Sequence, residues 1–128
     1  MELKRGVKQM LAEANAEIDT LAVHDALALL DDPGVVFVDI RDAAERQQGT
    51  IPGSVHAPRS FLEFHADPAS DVHNPVFSSG NRLVLFCRSG GRSALATKTL
   101  LDMGVPGVCH IAGGFAAWEA ARAPVGKD

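Results

Sequence analysis

Arg82-Leu83-Val84-Leu85-Phe86-Cys87-Arg88-Ser89-Gly90-Gly91-Arg92-Ser93 is the stretch on which the reading of this chain turns. Its first half, Leu83 to Phe86, is a continuous apolar run, the pattern of a strand buried on both faces of a parallel sheet. Its second half is a glycine-bearing turn leading into Ser93 to Met103. There Ala, Leu and polar residues recur in helical period until Gly104 supplies a C-cap. A buried strand that turns directly into a helix is half of a βαβ unit, and it predicts an α/β fold.

The same alternation continues outward. Upstream, Val35-Val36-Phe37-Val38-Asp39-Ile40 is a second buried strand, followed by a helical pattern over 41–48 that ends at Gly49. Ile51-Pro52-Gly53 is a turn, and Ser54 to Ala57 a short strand. Ile18 to Leu21 reads as a strand and Val23 to Leu30 as a helix stopped by Asp31-Asp32-Pro33-Gly34. Downstream, Val108 to Ile111 is a last strand, Gly113-Gly114 a turn and Phe115 to Ala121 a closing helix. Pro58 to Gly80 is a polar loop with three prolines and at most a short helix around Phe61 to His65; a loop of that length in a small domain is often functional. Residues 1–16 form a helical leader, apolar at Leu3, Val7, Met10, Leu11 and Ala14, and residues 17–128 form a single domain. The leader's apolar face would suit docking on the domain, a partner, or a homodimer as readily as a monomer. No repeat or low-complexity tract interrupts the chain.

Composition bounds the function. With 128 residues, 46% apolar and 22% charged, the chain can bury a real core, made mostly of aliphatics because aromatics are only 5%. A net charge of −4 argues against a nucleic-acid partner, which would need a basic surface to neutralise phosphates. No apolar run approaches the roughly 20 residues of a membrane helix. The first residues mix Lys, Arg and Glu without the apolar stretch of a signal peptide, so a cytoplasmic location is expected. In a reducing compartment the two cysteines, Cys87 and Cys109, are expected as free thiols.

Chemistry concentrates at Cys87. The strand delivers it to the carboxyl end of a parallel sheet, where ligands bind. Gly90 and Gly91 let successive N–H groups turn inward as a nest, and the following helix aims its positive dipole end at the same point. Arg88 and Arg92 add full charges. Such a setting typically lowers a thiol from about 8.5 into a range of roughly 3.5–7.5, so Cys87 is expected to be a thiolate nucleophile needing no general base. Asp39 and Arg41 end the neighbouring strand; Arg41 is placed to steer an anionic donor, and Asp39 to brace the loops through an ion pair. Arg92 either binds the donor or pairs with Asp39. His24, His56, His65, His73 and His110 lack ligand spacing, so neither metal nor cofactor is expected. His56 is expected to bond within its own turn, and His65 and His73 to lie in solvent or border the pocket. Cys109 reads as a buried inert thiol or a resolving partner of Cys87.

The Cys-x4-Arg loop resembles the active-site loop of rhodanese-like sulfurtransferases. Val36-Phe37-Val38-Asp39-Ile40-Arg41 resembles that family's strand ending in Asp-x-Arg. Glu45 with Gly49-Thr50-Ile51-Pro52-Gly53-Ser54-Val55-His56-Ala57 resembles its G-x-IPGA stretch, with Ser54 where Ala is commoner. Gly113-Gly114-Phe115-Ala116-Ala117-Trp118 resembles its closing GGF-x-x-W motif. The resemblance implies a roughly five-stranded parallel sheet flanked by helices on both faces. It further implies sulfur transfer from thiosulfate or a persulfide donor to cyanide, a small thiol or a protein cysteine. Cys87 would carry the persulfide, cradled by Arg88, Ser89, Gly90, Gly91, Arg92 and Ser93. A non-catalytic carrier or binding module, and a cysteine phosphatase or arsenate-reductase-like enzyme, are the alternatives. Related phosphatases have one more residue between Cys and Arg, which favours sulfur transfer here.

Overall fold

The β-branched and apolar runs become strands where expected. In the computed structural model, which describes residues 1–127, β1 (Asp19–Leu21), β2 (Val35–Asp39), β3 (Val55–His56), β4 (Arg82–Phe86) and β5 (Val108–Ile111) form one sheet. Its order is β1-β5-β4-β2-β3, with every pairing parallel. The chain leaves β2 toward β3 on one side and leaves β4 toward β5 on the other. The crevice between the carboxyl ends of β2 and β4 is therefore the topological switch point, where sheets of this kind bind ligands. Cys87 follows β4 there, and the main-chain N–H of Ile40, following β2, bonds to Phe86 O at 3.1 Å.

Strand alternation sorts the interior into two cores. Val38, Leu83, Leu85 and Cys87 face α4 (Leu62–Ala66) and α5 (Gly91–Met103), packing on Leu62, Ala96 and Leu100. Phe37, Val84, Phe86, Cys109 and Ile111 face α2 (Val23–Leu27) and α6 (Gly114–Ala120), with Trp118 fully buried among them. Trp118 meets Phe37 edge-on at 5.9 Å and donates its indole N–H to Pro124 O.

Several boundaries move for local reasons. The helix expected to Leu30 ends at Leu27. Leu29 and Leu30 bond to carbonyls three residues back, a tighter turn leading into Pro33-Gly34. The expected leader helix forms as α1 (Val7–Glu17), with Ala14 buried and Leu3 and Val7 exposed. It packs along α5, tied by Glu17 to Lys98 at 3.1 Å. The long loop buries Leu62, Ala66 and Phe77 through α4 and short 3₁₀ turns at Arg59–Phe61 and Pro75–Ser78. His65 and His73 neither border the Cys87 loop nor lie free: each donates from Nδ1 to a carbonyl of that segment, Val72 O and His65 O, both at 2.9 Å. His56 bonds outside its own turn, donating Nε2–H to Arg41 O at 2.7 Å.

Candidate active site

The Cys87 side chain is 1% exposed, and its sulfur takes the place of the missing acceptor at the start of α5. Sγ accepts from the main-chain N–H groups of Gly90 at 3.1 Å and Ser93 at 3.4 Å. Unpaired N–H groups and the positive end of the helix dipole converge on it, which favours a negative charge on sulfur. The helix begins at Gly91, two residues before the expected start, because Gly90 turns the chain at φ 103°. That early start puts the Ser93 N–H on the sulfur rather than beyond it. Among the described residues the main-chain N–H groups of Ser89, Gly91 and Arg92 meet no acceptor, so this curl has donors for a second atom beyond Sγ.

The charged residues are distributed differently from expectation. Arg92 grips Glu45 with both guanidinium arms, at 2.8 and 2.9 Å, and does not pair with Asp39. This ion pair holds the Glu45 carboxyl at a pKa of about 2 and pushes the Arg92 guanidinium up. Asp39 is not available to Arg92 because it is fully buried and already claimed. It accepts from Arg41 Nε and Nη2 at 2.9 Å each, from Thr50 Oγ1 at 2.8 Å and from Arg46 Nη1 at 3.4 Å. Arg41 is therefore not the free steering cation expected. It is 2% exposed, donates to Gly49 O at 2.7 Å and lies 4.4 Å over the Phe115 ring. Arg88 remains exposed with no side-chain partner among the described residues. It borders a hollow of about 180 Å³ with Gln48, Phe115 and Glu119. Ser54, the departure noted in the sequence, has a purpose: its Oγ accepts from Arg46 Nη1 at 3.0 Å under Asp39.

The Gly113-Gly114 turn does more than reverse the chain. The N–H groups of Phe115 and Ala116, at the start of α6, bond to the carbonyls of Cys87 at 2.7 Å and Arg88 at 2.9 Å. A Cβ on Gly114 would lie 2.5 Å from Cys87 O, so only glycine lets α6 brace the Cys87 loop this closely. Cys109 belongs to the core on the other face, with Sγ toward Leu83 O at 3.6 Å, and burial pushes its thiol pKa up. The sheet stands between the two thiols, which removes the resolving role.

The sequence reading assigned no task to His110. The structure puts it beside the site: its Nδ1 is 2.9 Å from Ser93 Oγ, which is itself 3.5 Å from Cys87 Sγ. The signal was present in the strand period, since Cys109 and Ile111 point to one core and His110 must face the other, toward Cys87. Among the described residues no cluster of His, Cys, Asp or Glu suits a metal ion, and no helix is long and apolar enough to cross a membrane.

The chain is similar to known proteins. The family model of the rhodanese-like domain matches residues 22–121. A sulfurtransferase of Allochromatium vinosum is 34% identical over 109 residues, covering 85% of this chain and 92% of that protein. Thiosulfate sulfurtransferase GlpE of Pseudoalteromonas translucida is 33% identical over 101 residues, 79% of this chain and 89% of the relative. Among solved structures, a Rhodopseudomonas palustris protein of unknown function, described as a "possible tyrosine phosphatase", superposes with a TM-score of 0.95 at 46% identity over 98% of each chain.

Proposed function

Because the chain belongs to the rhodanese-like domain family, we propose that it transfers sulfane sulfur through a persulfide on Cys87. The observation that carries this reading is the sulfur seated at the start of α5, with two N–H groups on it and further donors unclaimed. The Cys87 thiolate attacks the outer sulfur of thiosulfate; the sulfur–sulfur bond of the donor breaks and its electron pair leaves with sulfite. The terminal persulfide sulfur then sits against the N–H groups of Ser89, Gly91 and Arg92. Arg88, the unpaired cation of the loop, meets the donor's sulfonate, while Arg92 and Glu45 keep the loop's end in place. A nucleophilic acceptor (cyanide, a small thiol or a protein cysteine) takes the outer sulfur and expels Cys87 as thiolate. The charge each step places on sulfur is met by donors already oriented, the usual source of electrostatic catalysis. A reducing cytoplasm suits a thiol that must be regenerated free.

The description of the structural relative as a possible phosphatase supplies a second reading, phosphoester hydrolysis through a Cys87 phosphoenzyme. The six-residue loop and the engagement of both Arg92 arms by Glu45 favour sulfur over the larger phosphate. Purified protein given thiosulfate should gain one sulfur atom in intact mass and release sulfite. Cyanide or a thiol should discharge it, and Cys87→Ser should do none of this. A reduced thiol that takes no sulfur from thiosulfate or from persulfide donors would sink the proposal. Turnover of an aryl phosphate would then select the phosphatase, and its absence a binding module.

A further inference from the structure

The mechanism leaves three polar side chains unused, yet all three are linked to the thiol. Cys87 Sγ and Ser93 Oγ are 3.5 Å apart, Ser93 Oγ and His110 Nδ1 2.9 Å, and His110 Nε2 and Thr20 Oγ1 3.1 Å. These residues come from the catalytic loop, α5, β5 and β1, and the β1–β5 register sets Thr20 directly beside His110. His110 is 3% exposed, and burial lowers its pKa. It is therefore a neutral imidazole with one N–H and one acceptor nitrogen, free to exist as either tautomer. Beyond it lies an open hollow of about 300 Å³ under α1, lined by Leu11, Asn15, Thr20 and Gly91, in which His110 is the one ionisable side chain. Glu17 of α1 is engaged by Lys98 of α5, Glu13 of α1 by Arg5, and Arg92 of α5 by Glu45, and Lys8 of α1 makes no hydrogen bond to the imidazole. Asp19, adjacent to Thr20 on β1, makes no hydrogen bond to the imidazole.

We propose that Cys87, Ser93, His110 and Thr20 form a proton-carrying chain that delivers the thiol proton to the hollow under α1 and leaves the thiolate hydrogen-bonded. Ser93, His110 and Thr20 are positioning residues in this scheme, which rests on Cys87 being the nucleophile. In the thiol form S–H points at Ser93 Oγ, Ser93 O–H at Nδ1, Nε2–H at Thr20 Oγ1, and Thr20 O–H at solvent. One concerted shift moves each proton to its acceptor, so solvent gains one proton and sulfur keeps the electron pair. Ser93 O–H then points at the thiolate, Nδ1–H at Ser93 Oγ, and Thr20 O–H at Nε2. The imidazole is neutral before and after, as its burial requires, and only its tautomer has reversed. The same orientation receives Cys87 when the acceptor expels it.

The test follows thiolate absorbance and His110 ring-nitrogen shifts by NMR across pH, in a Cys109→Ala background. The chain has no tyrosine to obscure the thiolate band. His110 should exchange its Nε2–H tautomer for the Nδ1–H form with the thiolate's own midpoint, and should show no reversal in Cys87→Ser. Ser93→Ala should raise the thiolate midpoint by roughly half to one pH unit, a three- to tenfold loss of thiolate at fixed pH. A tautomer that stays fixed while the thiol titrates overturns the proposal, as does an unmoved midpoint in folded Ser93→Ala. The Cys87→Ser comparison decides alone if Ser93→Ala does not fold. Neither readout uses a sulfur donor. A reversing tautomer in a protein that takes no sulfur keeps the relay and removes the transferase reading, while sulfur loading over a fixed tautomer removes only the relay.

Discussion

Asp39 is the residue on which the rest of the site leans. One carboxylate, fully buried, answers two buried guanidinium groups and a hydroxyl. Removing the carboxylate leaves the buried Arg41 guanidinium without its counter-ion, at a cost of about 3–5 kcal/mol. Asp39→Asn, which keeps shape and discards charge, should lower the urea midpoint accordingly; a loss under 1 kcal/mol would mean that Arg41 is satisfied without it. Cys87, its glycines and the Asp-x-Arg pair were legible in the sequence because each lies within a few residues of the strand end that presents it. The destination of Arg92 was not, since its carboxylate, Glu45, comes from an element 47 positions away. Asp39, next in line by motif, is enclosed by its own near neighbours. His110 went unread for a different reason: only strand alternation, not spacing along the chain, points it at the thiol.

At the scale of elements, the contact between α6 and the Cys87 loop makes the sharpest prediction. Gly114 sits at φ 60° with Cys87 and Arg88 main-chain atoms within 2.7 Å of where a Cβ would be. Gly53 sits at φ 77° with nothing within 4 Å. Alanine at either position incurs the left-handed cost of about 1–2 kcal/mol. Only Gly114→Ala must also displace the loop. We expect both variants to melt earlier and only Gly114→Ala to load sulfur more slowly; equal loading would show that the brace does not shape the site. Elements were legible wherever a run of apolar or helical period exceeded four or five residues. The start of α5 was not, because which of two adjacent glycines turns the chain depends on the room left by Gly113, whose N would be 3.3 Å from a Cβ on Gly90.

Across the whole molecule, acid should act in two stages. His110 is held neutral by burial, so the unfolded chain binds a proton there first; its contribution is full above about pH 6.5 and falls as pH drops below that value. Glu45 is held near 2 against 4.5 unfolded, so its contribution is present above about 4.5 and is lost as pH falls toward 2. Both stages lower stability on acidification, each by at most about 1.4 kcal/mol per pH unit, and the second weakens in salt because its arginine is exposed. Urea midpoints from pH 8 to 3 should resolve them, with His110→Asn flattening the upper stage and Glu45→Gln the lower. A level curve between pH 7 and 5 would contradict a buried neutral His110. The parallel sheet followed from alternation of strands and helices. Which helix covers which face did not, because that depends on crossovers that no local pattern records.

The bond from Phe115 to the Cys87 carbonyl also sets an order of events. A ribosome emits residues 87–93 well before 113–116, so the growing chain exposes its one polar-loop thiol while the support for that loop does not yet exist. The loop gains its two bonds from α6 only once residues 115 and 116 have followed. A chain arrested short of Gly113 therefore carries the cysteine and its own Gly90 and Ser93 donors, with the Cys87 and Arg88 carbonyls still unanswered.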